Sequence, residues 1–211
     1  MGYFKYIYQG YPLEGAVTEA SMSLRATSGS YPGQTPDDTM TLNLNARSPR
    51  FFFDPNNDPE DDVAAWIEPF LDTQWLEIPI DRFKGRDFRS LENIHVDFRG
   101  EGTPNALTGE DWWEAPGLIS AYTDELFTEA EISFRHDGDG VFTVGLRGKS
   151  IFKTTFDISF SAPLTVDLVA YRNSATRDEM LDWFDRGLRK DDFVFTQKQI
   201  DDDLYLKGTV R

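Results

Sequence analysis

The chain has 211 residues, no cysteine and a formal net charge of −16. Lack of cysteine removes disulfide frameworks, thiol nucleophiles and thiolate metal sites. The acidic balance repels phosphate backbones and anionic lipid, so neither nucleic acid nor membrane is an expected partner. Seventeen phenylalanines and five tryptophans supply enough apolar area for a packed core, and the length fits a single domain over 1–211. The N-terminal residues have no basic region followed by an apolar run, and no window reaches transmembrane length without charge. A cytoplasmic address is the expectation.

The charge is unevenly placed. Residues 1–50 balance, residues 51–110 carry five basic against fourteen acidic side chains, and residues 111–211 carry twelve against nineteen. Such a field steers a basic partner.

Tyr3 to Tyr11 reads as a first strand. Thr18, Ala20, Met22 and Leu24 alternate with Glu19, Ser21, Ser23 and Arg25, and Met40, Leu42 and Leu44 alternate with Thr41, Asn43 and Asn45. These are strand patterns of period two, and they predict a hairpin joined by a long, mobile loop over 27–38. Asp58 and Pro59 then have the chemistry of a helix start. Val63, Trp66, Ile67 and Phe70 follow at helical spacing, predicting an amphipathic helix over 59–71. Leu76, Ile78 and Ile80 predict a short strand that ends near Pro79. Arg82 to Arg89 is a locally basic stretch, expected to pair with neighbouring acids. Ile94, Val96 and Phe98 predict a strand, residues 100–117 are turn-rich, and Leu118 to Phe127 reads as a short helix.

The clearest pattern lies between Glu129 and Arg172. Ile132, Phe134 and His136 share one parity, and Asp137-Gly138-Asp139-Gly140 supplies a hairpin turn. Phe142, Val144 and Leu146 follow on the far side. Phe152 to Phe160 alternates with Lys153, Thr155, Asp157, Ser159 and Ser161, and Val166, Leu168 and Ala170 lie beyond Pro163. Four such runs predict an antiparallel meander with one buried face. Thr176 and Glu179 form a capping-box pattern before an apolar stripe from Met180 to Leu188, predicting a second helix over 177–190. Residues 193–196 and 204–210 read as closing strands. The fold class these elements imply is α+β: a largely antiparallel, curved sheet with two amphipathic helices packed on it.

No run of residues spells a reaction. There is no nucleophile elbow, phosphate-binding glycine loop or dinucleotide fingerprint. Asp54, Asn56, Asp58 and Glu60 begin like a calcium loop, but Pro59 and Ala65 stand where Gly and the bidentate Glu belong. No metal and no cofactor is expected. His95, Asp97 and Arg99 share the polar parity of one strand and are the only weak catalytic candidates. The most partner-like residues are Trp112 and Trp113, flanked by Glu110, Asp111 and Glu114, since aromatic anchors ringed by polar groups suit protein interfaces. Asp201, Asp202 and Asp203 form a second acidic candidate.

Three functions fit. The first is a non-enzymatic acidic protein that masks a basic protein partner, as a cytoplasmic immunity protein masks a toxin. The second is a small-molecule-binding or hydrolytic enzyme using the His95 region. The third is a structural component of a larger, phage-like assembly.

Overall fold

The computed structural model describes every residue except Met1, Gln9, Ser30, Pro32, 55–64, Gln74, Tyr122 and Lys153. Its strands are β1 (Tyr3–Tyr8), β2 (Tyr11–Ala16), β3 (Glu19–Thr27), β4 (Thr39–Arg47), β5 (Phe51–Phe53), β6 (Ala65–Ile67), β7 (Phe70–Asp72) and β8 (Glu77–Pro79). Then come β9 (His95–Phe98), β10 (Leu118–Ser120), β11 (Asp124–Gly138), β12 (Val141–Ser150) and β13 (Thr155–Ala170). The single α-helix among the described residues, α1 (Arg177–Gly187), precedes β14 (Phe193–Ile200) and β15 (Asp203–Val210).

Thirteen strands hydrogen-bond into one mixed sheet, and β5 pairs with β6 apart from it. The pairings close on themselves: β12, β11, β10, β7, β4, β3 and β13 follow in order, and β13 pairs again with β12. Closure leaves only appended strands with free edges. All pairings are antiparallel except that of β3 with β13.

Period-two burial explains this architecture. Met22 and Leu24, Met40, Leu42 and Leu44, Ile132 and Phe134, and Phe142, Val144 and Leu146 are buried in a continuous core. Their sequence neighbours face outward, so each strand buries one side. A fully buried side chain of this size contributes about 1.5–3 kcal/mol.

The predicted four-run meander is three strands. The runs on either side of Pro163 belong to one strand, β13, which buries Phe156, Ile158, Phe160, Ala162, Leu164, Val166 and Leu168 without a break in parity. Pro163 has the outward parity and pairs with Val141. Beyond it, β13 exchanges β12 and β1 for β15 and β3. A proline is tolerated where ladder partners change, because the lost N–H interrupts no continuous pairing. Phe152, which shares the core parity of β13, is exposed because it lies in the turn before that strand.

The α+β expectation is overturned. Residues 65–67 of the predicted 59–71 helix form β6, 70–72 form β7, and 59–64 lie outside the described residues. Pro69 lacks an N–H and pushes Glu68 towards extended backbone. Leu71 stands between Ala46 of β4 and Ile119 of β10, so β7 satisfies two backbone ladders at once. The predicted helix over 118–127 is likewise β10 and the start of β11. Over 59–71 a period of 3.6 fitted a few apolar residues, and in both places demand for backbone partners decided the outcome. The 177–190 helix does form, over 177–187. The Thr176 hydroxyl caps the Glu179 N–H, and the Glu179 carboxylate accepts from the Thr176 N–H at 2.7 Å. That bond holds the Glu179 carboxyl below its usual range.

Among the described residues, Glu125 is the one buried carboxylate. It is fully buried and accepts from the Tyr6 hydroxyl at 3.1 Å and from the Ser150 hydroxyl. Burial and the Glu125 charge push the Tyr6 phenol far above its ordinary value. The trio ties β1, β11 and β12 together through hydrogen-bonded polar contacts.

Candidate functional site

Residues 100–117 connect β9 to β10 and are held by a dense set of backbone bonds. The Trp112 N–H donates to the Thr103 carbonyl at 2.8 Å, the Gly102 N–H to the Trp112 carbonyl at 2.8 Å, and the Asn105 N–H to the Glu110 carbonyl at 2.7 Å. Asn105 is buried, and its side chain accepts from the Leu107 N–H at 2.9 Å. Arg82 fixes the far side by donating from Nε to the Leu107 carbonyl at 2.7 Å. The segment is a shaped wall.

The tandem tryptophans divide their roles. Trp112 is 5% exposed and meets the Phe98 ring edge to face, with centroids 5.4 Å apart. Trp113 is 88% exposed. Adjacent residues on extended backbone point to opposite sides, so one tryptophan closes the core and the other is displayed.

Trp113 borders a depression of about 230 Å³ together with Trp75, Glu77, Glu110, Asp111 and Glu114, with Asn105, Thr108 and Trp112 completing the lining. Trp75 and Glu77 arrive from the segment before and within β8. The Thr73 hydroxyl secures that segment, donating to the Leu42 carbonyl at 2.9 Å and accepting from the Leu44 N–H at 2.8 Å. Trp75 and Glu77 are missing from the expected site, yet the alternation Leu76, Ile78, Ile80 already gives them outward parity. Only the fold brings them to residues 110–114. Glu77 also borders a second depression of about 310 Å³ that contains Arg25, Asp37, Thr41 and Asn43.

Among the described residues, the side chains of Glu77, Glu110, Asp111 and Glu114 make no ion pair. Four carboxylates beside two partly or fully exposed indoles attract a cation through charge and through the ring faces. A cation over an exposed indole gains about 0.5–1 kcal/mol, and more when water is excluded. The groups fit the ammonium of a lysine or the guanidinium of an arginine.

Of the catalytic candidates, His95 borders a different depression. His95, Asp97 and Arg99 share the outward face of β9, as their parity predicts. They do not converge on a common point. Arg99 donates from Nε to Asp97 at 2.6 Å and from a terminal nitrogen to Glu131 at 2.5 Å. Arg147 reaches the other oxygen of Glu131 at 2.5 Å. These contacts hold the Glu131 carboxyl below its usual range and push Arg99 higher still. His95 makes no such contact and borders a shallow depression of about 330 Å³ with Ser133, Gly145, Arg147, Asp157 and Tyr3. Gly145 leaves this dip in the face because it has no side chain on the outward parity of β12.

The Asp201–Asp203 triplet lies at the β14–β15 turn and does not line the depression at Trp113. Asp203 serves the turn, accepting from the Arg172 N–H at 2.9 Å. Asp202 accepts from the Asn173 amide at 3.4 Å. The Asp201 side chain is exposed, with its backbone at a φ of 52°.

No protein family, curated protein or solved structure matches the chain. The assignment of function therefore rests on the chemistry of the molecule itself. The described helices include none long and apolar enough to cross a membrane.

Proposed function

We propose that the protein is a non-enzymatic binding protein that masks a basic surface of a protein partner, in the manner of a cytoplasmic immunity protein covering a toxin. The observation that carries this reading is Trp113, 88% exposed on a well-tied loop and bordered by carboxylates that form no ion pair among the described residues. Like charges gathered in one place repel one another, and a cationic partner relieves that repulsion. Together the indole and the acids fit the centre and rim of a protein interface: an aromatic anchor within a charge field that steers a cationic partner.

The test is affinity capture from the source cell with two baits in parallel, the native protein and the Trp113→Ala, Glu110→Lys double variant. A protein with a basic surface, enriched on the native bait and lost from the variant, is the expected result. Recovery of no protein partner, or equal recovery on both baits, would refute the proposal. The His95 face tests the enzymatic alternative: the reading predicts that His95→Ala leaves capture unchanged.

A further inference from the structure

Among the described strands with a single neighbour, β14 is the longest, at eight residues. In an antiparallel pair, alternate residues direct both N–H and C=O away from the partner. About half of β14 therefore presents unpaired backbone groups along its outer edge, over roughly 26 Å. Proteins usually blunt such edges with proline, charge or short length. The other appended strands follow that practice: β2 contains Pro12 and Glu14, β8 ends in Pro79, and β9 has four residues bearing His95 and Asp97. In β14 the sequence Phe-Val-Phe-Thr-Gln-Lys-Gln-Ile has no proline and a single charge, Lys198. From Thr196 to Ile200 every residue is exposed, so no other element covers the strand there.

Charge selects the occupant. Exposed Asp191 precedes the strand, and exposed Asp201 and Asp202 follow it. Antiparallel pairing of β14 with a second copy would lay Asp191 of each copy beside Asp201 and Asp202 of the other, at both ends. A segment with cations at its two ends meets the opposite sign at both. We propose that the free edge of β14 accepts a strand from a basic protein. The uncharged, β-forming middle of that strand would pair along 194–200, and its flanking lysines or arginines would face Asp191 at one end and Asp201 and Asp202 at the other. Main-chain bonds supply the affinity in this mode and the flanking charges the selectivity. The inference shares a basic partner with the reading above but uses a different surface.

The probe is a synthetic peptide with four Thr-Val repeats flanked by two lysines at each end, set against the same peptide flanked by glutamates. Fluorescence anisotropy should show binding of the lysine peptide to the full chain, weakened at least tenfold for the glutamate peptide. Hydrogen exchange should show slowed amides within 194–200. One of Thr196→Pro and Gln197→Pro removes an outward N–H, and that variant should lose at least tenfold in affinity. Glu131→Gln, which touches only the Arg99 and Arg147 pairs of the sheet face, should leave the affinity unchanged. If both proline variants unfold, Asp201→Lys with Asp202→Lys leaves the strand intact and should reverse the preference between the two peptides. Absence of binding, equal affinity for both peptides, or no change of preference in the Asp201/Asp202 variant overturns the proposal. So does light scattering that shows the edge already occupied in a dimer of this chain.

Discussion

The outer face of β9, β11, β12 and β13 and the loop around Trp113 are both rich in carboxylates, and they treat them in opposite ways. On the sheet face Glu129, Glu131, Asp137 and Asp157 each have a local partner. Glu129 meets Lys149 at 3.0 Å, Glu131 meets Arg99 and Arg147, Asp137 meets Arg135 at 2.8 Å, and Asp157 accepts from the Tyr3 hydroxyl at 2.9 Å. Cross-strand register sets up these pairs: Glu131 stands opposite Arg147, and Arg147 opposite Asp157. Around Trp113 the acids come from β8 and the 100–117 loop, and among the described residues their side chains find no cation. A charge lattice that neutralises itself has little left to offer a partner. The unneutralised cluster keeps its field, and this contrast is what supports the proposal of recognition at the loop.

The largest effect expected from that contrast is on binding. Trp113→Ala should weaken the partner identified by capture by about 2 kcal/mol or more, the size of an interface hot spot. It should leave the melting curve unchanged because the side chain packs on nothing that truncation would expose. Equilibrium titration and thermal unfolding of one preparation check both halves. A large loss of stability would show that Trp113 belongs to the core after all.

A second test contrasts either exposed group with the interior carboxylate. Tyr6→Phe removes a donor to fully buried Glu125 and should lower stability by about 1–3 kcal/mol, measured by denaturant unfolding, with partner affinity preserved. Coupled loss of affinity would connect the core to the recognition surface and break the division drawn above.

Acid should act on the lattice in a defined window. Hydrogen bonds from Arg147 and Arg99 hold the Glu131 carboxyl below its ordinary 4.5, and those from Thr143 and Arg135 hold Asp137 below 3.8. Folding therefore favours their ionised forms. Their stabilisation is fully present above those ordinary values and is lost as pH falls through the lower folded ones. Carboxyl NMR titration should show both groups protonating below the unfolded values, and unfolding midpoints should decline as the pH drops below about 4.5.

The smallest effect belongs to Glu131→Gln. It removes the charge shared by Arg99 and Arg147 on an exposed face, where ion pairs add little. A slight fall in melting temperature, reduced further by salt, is expected, with affinity for the partner unaffected. A marked fall in affinity would move recognition to the sheet face.

Much of the strand content was legible because burial in a strand repeats every second residue. β4, β9 and the hairpin turn at Asp139-Gly140 lie where alternation and turn chemistry place them, and α1 begins at its capping box. The tandem Trp112-Trp113 marked the loop to which recognition is proposed. Of the two misread helices, 59–71 and 118–127, the first rested on apolar residues whose spacing satisfies both periods over a short window. Glu125 gave no local sign of burial, since its partners Tyr6 and Ser150 are 119 and 25 residues away.

By itself, then, the sequence determined which residues face inward, where α1 is capped, and that charge and aromatic surface concentrate near residue 110. Only the tertiary structure decided that the strands close into a ring, that β13 runs unbroken through Pro163, and that Trp75 and Glu77 join the loop site. The physical reason is the range of the interactions. Side-chain parity and capping act over a few residues, whereas ladder pairing, burial of a carboxylate and the neutralisation of surface charge depend on residues that meet only when the chain has folded.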